Sequence, residues 1–265
     1  MKSILITIDG NENDVESLNF AKALAAPTGA RLTVLHPKQA PSSIYALADA
    51  VFASNDAEAA ARSAEAARGA FDTVLAHERA AFGEFEGDAS AAIAAVGFAH
   101  DLIMVERLSA EEGPQAAQLN AALFDSGRPV IAIPPHAADT APKHVAIAWN
   151  GQAQAARAMR SALPLLQQAE AATLLLGSGN RGVSAQLVAA YLEDYGVKPF
   201  VMTYDSERLT ARARGRALLA AVEEAGADCL VAGAYGEGGR SDIGGLGRAT
   251  QKVVTAAAVP VLLQS

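Results

Sequence analysis

Residues Ala227–Thr250 read ADCLVAGAYGEGGRSDIGGLGRAT. A short apolar run, Cys229 to Ala232, enters a loop in which Gly233, Gly236, Gly238, Gly239, Gly244, Gly245 and Gly247 crowd together. Helical spacing from Ala249 to Ala257 follows, then Val259 to Leu263 (VPVLL), which reads as a closing strand. Strand, glycine loop and helix, in that order, is how α/β proteins hold phosphate. Glycine lets the backbone approach the anion, and the first N–H groups of the helix face it with the positive end of the helix dipole. A Gly-rich surface loop with no ligand has the same letters, so both readings stay open.

Upstream, the same alternation of strand and helix runs through the chain twice. In the first pass Ser3 to Ile8 (SILITI) predicts a buried strand ended by the turn signal Asp9-Gly10-Asn11, and Val15, Leu18, Ala21 and Ala25 recur at helical spacing. Arg31 to Leu35 reads as a second strand ending at His36-Pro37. The alanine-rich Ser42 to Glu78 reads as one long or two shorter helices, and Ala80 to Phe85 as a third strand. Asp88 is placed to cap a helix, Asp101 to Val105 is a fourth strand, Leu119 to Phe124 a helix, and Pro129 to Ile133 a fifth strand. Pro134-Pro135 through Pro142 is a linker.

The pattern then restarts. His144 to Trp149 ends at Asn150-Gly151 as the first strand ends at Asp9-Gly10, and Ala155, Met159, Ala162 and Leu166 repeat the helix. Thr173 to Leu176 corresponds to Thr33 to His36, Asp228 to Asp101, and Pro260-Val261 to Pro129-Val130. Strands alternating with helices imply a parallel sheet covered on both faces, here in two similar α/β domains, 1–135 and 143–265. The halves differ at one place. The first has Val105-Glu106-Arg107-Leu108 where the second has Ala232-Gly233-Ala234-Tyr235. Glu106 would repel phosphate, which assigns any phosphate site to the second half.

On these residues the chain resembles the universal stress protein family in its tandem two-domain form. The resemblance spans nearly the whole length and rests on Ile4 to Gly10 (ILITIDG), Val145 to Gly151 (VAIAWNG), the GRPV and VPV closing strands and the glycine loop. It implies flavodoxin-like (Rossmann-like) domains, each a five-stranded parallel sheet in the order 3-2-1-4-5 with helices on both faces. It also implies that the last strands pair between the domains. ATP-binding members carry G-x2-G-x9-G-[S/T] after the fourth strand. Gly233 and Gly236 match the first two glycines; the third falls at Gly247, one residue late, with Arg248 where the family has Ser or Thr and Asn150 where it usually has Asp. Carried over, Gly233 and Gly236 would admit the phosphates, Gly247, Arg248, Ala249 and Thr250 would present N–H groups and side chains to them, and Asn150 and Gly177 would border the base. The implied protein is a non-catalytic stress-response module taking ATP or a related adenine nucleotide, with Mg²⁺, in its second domain. A ligand-free scaffold and a slow Mg-dependent ATP hydrolase at the same loop are the alternatives.

Composition narrows the classes. A net charge of −8 works against nucleic acid or an anionic membrane as partner. The single cysteine, Cys229, sits in an apolar strand as core filler, so no intrachain disulfide forms. No apolar run is long enough to span a membrane and no signal peptide is recognised, which makes the cytoplasm the expected location. Homodimerisation stays open. A competing motif, Gly177-Ser178-Gly179-Asn180-Arg181-Gly182 with Asp205 after the next strand, has the letters of a dinucleotide fingerprint. It follows a second strand, away from the point where open sheets bind ligands, and the gap to Asp205 is long. The five histidines show no metal-ligand spacing. Asp9 reads as a turn residue capping the first helix and Trp149 as core.

Overall fold

The computed structural model describes residues 1–38, 50–107, 114–178, 184–234 and 246–265. The first half runs β1 (Ser3–Thr7), α1 (Asp14–Ala25), β2 (Arg31–Lys38), α2 (Ala50–Leu75), β3 (Ala80–Glu86), α3 (Ala89–Gly97), β4 (Leu102–Glu106), α4 (Pro114–Asn120) and β5 (Val130–Ile133), with a π-helical turn at Ala121–Asp125. The second runs β6 (His144–Trp149), α5 (Ala153–Ser161), α6 (Leu163–Leu166), β7 (Ala171–Gly177), α7 (Ala185–Glu193), β8 (Pro199–Tyr204), α8 (Ala211–Glu224), β9 (Cys229–Gly233), α9 (Arg248–Ala256) and β10 (Val261–Gln264).

All ten strands form one sheet in the order β3-β2-β1-β4-β5-β10-β9-β6-β7-β8. Each half therefore has the order 3-2-1-4-5, with parallel strands throughout. The halves join where β10 lies antiparallel to β5, with Leu262 opposite Ile131. This joint has a direct consequence for function. The carboxyl ends of the first-half strands and those of the second-half strands emerge at opposite ends of the sheet, so the two ligand-binding crevices expected of such folds cannot merge.

The strands at the centre are apolar without alternation because helices cover both faces: Ile4, Leu5, Ile6, Ile103 and Met104 are wholly buried. One face carries α1, α2, α5 and α7 through Leu18, Phe71, Ala158 and Leu192. The other carries α3, α4, α8 and α9 through Ile93, Leu119, Val222 and Val254. Val15 is the exception to the expected α1 stripe, facing solvent while Leu18, Ala21 and Ala25 are buried.

The duplication is visible in side chains as well as topology. Asp101 accepts from the backbone N–H groups of Lys2 (2.6 Å) and Ser3 (3.1 Å) at the start of β1. Asp228 does the same for Lys143 (2.9 Å) and His144 (2.9 Å) at the start of β6. The corresponding threonines Thr33 and Thr173 each meet a histidine, at 2.9 and 2.8 Å, but from different elements: His100 just before β4 and His144 in β6. β2 extends past the expected end at Leu35 to Lys38. Pro37 is tolerated there because its missing N–H points to the side on which β1 has already ended at Thr7. Asp88 caps α3 as expected, accepting from Ser90 N–H at 3.0 Å.

Candidate functional site

In a sheet of order 3-2-1-4-5, the crevice lies where strands one and four part company at their carboxyl ends. In the first half that place lies between Asp9-Gly10 after β1 and Glu106 at the end of β4, where the chain's own polar side chains bond to one another. Glu106 accepts from the Asn13 amide at 2.8 Å and the Asn11 amide at 3.0 Å, with Gln115 at 3.4 Å. Beneath it, the buried Asp14 carboxylate accepts from Gly10 N–H (2.8 Å) and Asp9 N–H (3.3 Å) and so ties the β1–α1 turn. Burial pushes Asp14 up to about 6. Burial, with the nearby Glu106 charge, also raises Asp9. Gly10 adopts φ 75°, and a β-carbon there would collide with Ser63 of α2, whose hydroxyl donates to the Asp9 carbonyl at 2.6 Å.

The expected capping role of Asp9 is thus corrected. Asp14 closes the turn, and Asp9 sits half-buried between Glu106, His36 and Gln118. Asp14 lies on the inward side of the first turn of α1, where its carboxylate meets the N–H groups of the turn.

The equivalent place in the second half has different chemistry. β6 pairs with β9 as far as Ile147 and Val231, and with β7 as far as Trp149 and Leu176. Asn150, Gly177 and Gly233 therefore reach the same end of three neighbouring strands. Asn150 is exposed, and its side-chain oxygen accepts from Gln152 N–H at 3.0 Å, so it shapes the turn that Gly151 (φ 75°) completes. Trp149 is buried in the core.

The glycines have packing reasons of their own. A β-carbon on Gly233 would lie 2.7 Å from Ala155 N and from the Gln154 carbonyl carbon, because the first turn of α5 presses on the end of β9. One on Gly177 would meet the Ser206 hydroxyl. Gly247 stands at the N-cap of α9 in an ordinary extended conformation, φ −64° and ψ 148°, and supplies no capping side chain. Arg248, Ala249 and Thr250 form the first turn of that helix, with Arg248 exposed and no acidic residue among them. Gly236 lies outside the described residues, as do Glu237 and Asp242, the carboxylates that could pair with Arg248.

The competing motif keeps its serine and its acid for structure. Ser178 donates to Asp205 at 2.9 Å and accepts from the N–H of Ser206 (2.8 Å) and Glu207 (3.1 Å), which closes the β7–β8 ends on each other. Gly179, Asn180, Arg181 and Gly182 lie outside the described residues. His36 and His100 are buried and bonded to backbone carbonyls, and no group of three metal-ligating side chains occurs among the described residues. Among those residues no helix is long and apolar enough to cross a membrane.

No family model matches the chain, and no curated protein matches its sequence. Solved structures do. A universal stress protein from Archaeoglobus fulgidus superimposes with a TM-score of 0.72 at 18% identity, over 99% of this chain and 96% of that one. A functionally unknown protein from Pseudomonas aeruginosa PAO1 gives 0.58 at 16% identity, over 100% and 92%. A protein of Pseudomonas aeruginosa UCBPP-PA14, provisionally assigned as a universal stress protein, gives 0.57 at 15%, over 100% and 93%. At such identities the shared property is architecture: over its whole length, this chain has the fold of a universal stress protein.

Proposed function

We propose that the chain is a non-catalytic stress-response binding module of the cytoplasm whose second half takes ATP or a related adenine nucleotide, with Mg²⁺, at the carboxyl ends of β6 and β9. One observation carries the reading. At the crevice of the first half stands the carboxylate of Glu106, hydrogen-bonded by Asn11 and Asn13, whereas the second half offers the start of α9, with exposed Arg248 and no acidic residue in its first turn. A cation at a helix N-terminus opposes the helix dipole, so its presence there is favourable when an anion sits between them. Gly236 and Gly247 carry no side chain at the two positions expected to approach the phosphates, and Thr250 adds a hydroxyl in the first turn of α9.

A ligand-free scaffold is the second reading. It is favoured by Gly233 and Gly177, whose lack of a side chain is already required by Ala155 and Ser206. Titration calorimetry of nucleotide-stripped protein with ATP and Mg²⁺ separates the two, using Gly236→Val and Arg248→Ala as companions. Heat from wild type that is lost or weakened about tenfold or more in both variants supports the nucleotide module, since one charge-assisted contact contributes roughly 1.5–3 kcal/mol. Absence of heat from a folded wild-type protein establishes the scaffold.

A further inference from the structure

The two outer edges of the ten-stranded sheet are built differently. β3 at one edge reads AAFGEFE, with Gly83 at its centre and Glu84 and Glu86 at its end, and Glu84 is tied to Lys38 of the neighbouring strand at 2.6 Å. Charged side chains on an edge are one way natural sheets discourage further pairing. β8 at the other edge reads PFVMTY, with no charge within the strand. Phe200 is 69% exposed and Val201 40%, and Leu187 of the adjoining α7 is 63% exposed. Among the described residues β7 is the only strand neighbour of β8.

The backbone shows which groups are free. Ser178 N–H donates to the Tyr204 carbonyl at 2.8 Å, so the polar groups of Tyr204 face β7. Alternation along a strand turns those of Met202 and Phe200 the same way, and those of Val201 and Thr203 outward. Two outward residues flanking Met202 form a self-complementary ladder. In an antiparallel pair centred on Met202, Val201 of each copy exchanges both hydrogen bonds with Thr203 of the other. That register puts each exposed Phe200 opposite Tyr204 on one face of the sheet. It also sets Lys198, just before the strand, beside the end that carries Asp205 and Glu207. A parallel pair would bring like charges together. We propose that β8 is a self-association edge, through which two copies of this chain pair antiparallel about a two-fold axis at Met202 to make a continuous twenty-stranded sheet.

Sedimentation analysis over a dilution series tests this on the full chain, with three variants. Val201→Pro removes an outward N–H and leaves the ladder to β7 intact, Phe200→Glu puts a charge on the exposed face, and Glu84→Ala alters the opposite edge. The expected result is a wild-type dimer that dissociates on dilution, a monomeric Val201→Pro protein, a Phe200→Glu protein whose dimer dissociates at least tenfold more readily, and no change for Glu84→Ala. Circular dichroism confirms that each variant is folded. If Val201→Pro does not fold, slowed amide exchange at Val201 and Thr203 in concentrated wild-type protein against dilute serves in its place. A wild-type protein that stays monomeric, or a dimer that the β8 variants leave unchanged, overturns the proposal. So does an edge that accepts only an unrelated extended peptide.

Discussion

The guanidinium of Arg107, just beyond β4 in the first half, donates to the carbonyl of Thr255 in the last turn of α9 in the second, at 2.6 Å. The helix whose first turn carries Arg248 is therefore held at its far end by the other domain. A cation at a helix C-terminus satisfies an orphan carbonyl and complements the dipole. Arg107→Met should lower the stability of the second half by about 1–2 kcal/mol. Hydrogen exchange should quicken along α9 while β1 and β2 keep their protection; unchanged exchange in α9 would refute the clamp.

Gly233 makes a prediction that separates packing from binding. Its missing β-carbon is demanded by backbone atoms of α5 at 2.7 Å, which cannot rotate away as a side-chain tip can. Gly233→Ala should destabilise the nucleotide-free protein by about 1–3 kcal/mol through overpacking. Gly247 has no such demand on its backbone angles, and Gly247→Ser should gain a few tenths of a kcal/mol by capping α9. Denaturant melts of the two variants without ligand check both signs. A Gly233→Ala protein as stable as wild type would show that the glycine is there for a ligand alone.

The contrast between these glycines marks the limit of what the sequence conveys. The duplication was legible because apolar runs of strand length recur with Asp-Gly and Asn-Gly turns behind them, and both turns hold their glycine at φ 75°. The difference between the halves at the end of the fourth strand was legible from the charge of Glu106, which the structure places in hydrogen bonds to Asn11 and Asn13. What the letters could not convey is which side of a helix faces inward at a turn: Asp14, not Asp9, accepts from the turn's N–H groups, and α1 has no side-chain cap. Nor do they reveal a close approach between distant segments. Nothing in Gly233 announces α5, and nothing in Arg107 announces Thr255. The helix α8 shows no clear apolar stripe in its letters, since Arg212, Arg214 and Arg216 interrupt its first turns.

Cys229 is the only thiol, fully buried in β9, and burial pushes its pKa up. Thiolate is the reactive form, so the native protein should be inert to a disulfide reagent at neutral pH. One thiol per chain should titrate once denaturant unfolds the second domain. Reaction of the native protein on the timescale of the free amino acid would show that β9 opens locally far more easily than its central place in the sheet implies.

Asp14, buried, and Asp9, half-buried, at the first crevice should make stability depend on pH in a direction opposite to ordinary acid denaturation. Asp14 is raised from 3.8 to about 6 by burial, and Asp9 is raised as well, so the folded state binds protons more readily than the unfolded chain. Their contribution is fully present below the unfolded value and is lost as pH rises through the folded one. Between about pH 4 and 6 these carboxyls therefore favour folding on acidification, by up to about 3 kcal/mol for Asp14 at 1.36 kcal/mol per pH unit. Glu106, half-buried opposite them, and His36, bonded through Nδ1 to the Ile8 carbonyl, set the local field. Asp14→Asn keeps a carbonyl acceptor for the Gly10 N–H but cannot ionise. Equilibrium unfolding at pH 7 and pH 5 should show the wild type gaining on the variant as pH falls. A difference between the two proteins that stays constant with pH would mean that Asp14 titrates alike in folded and unfolded chains.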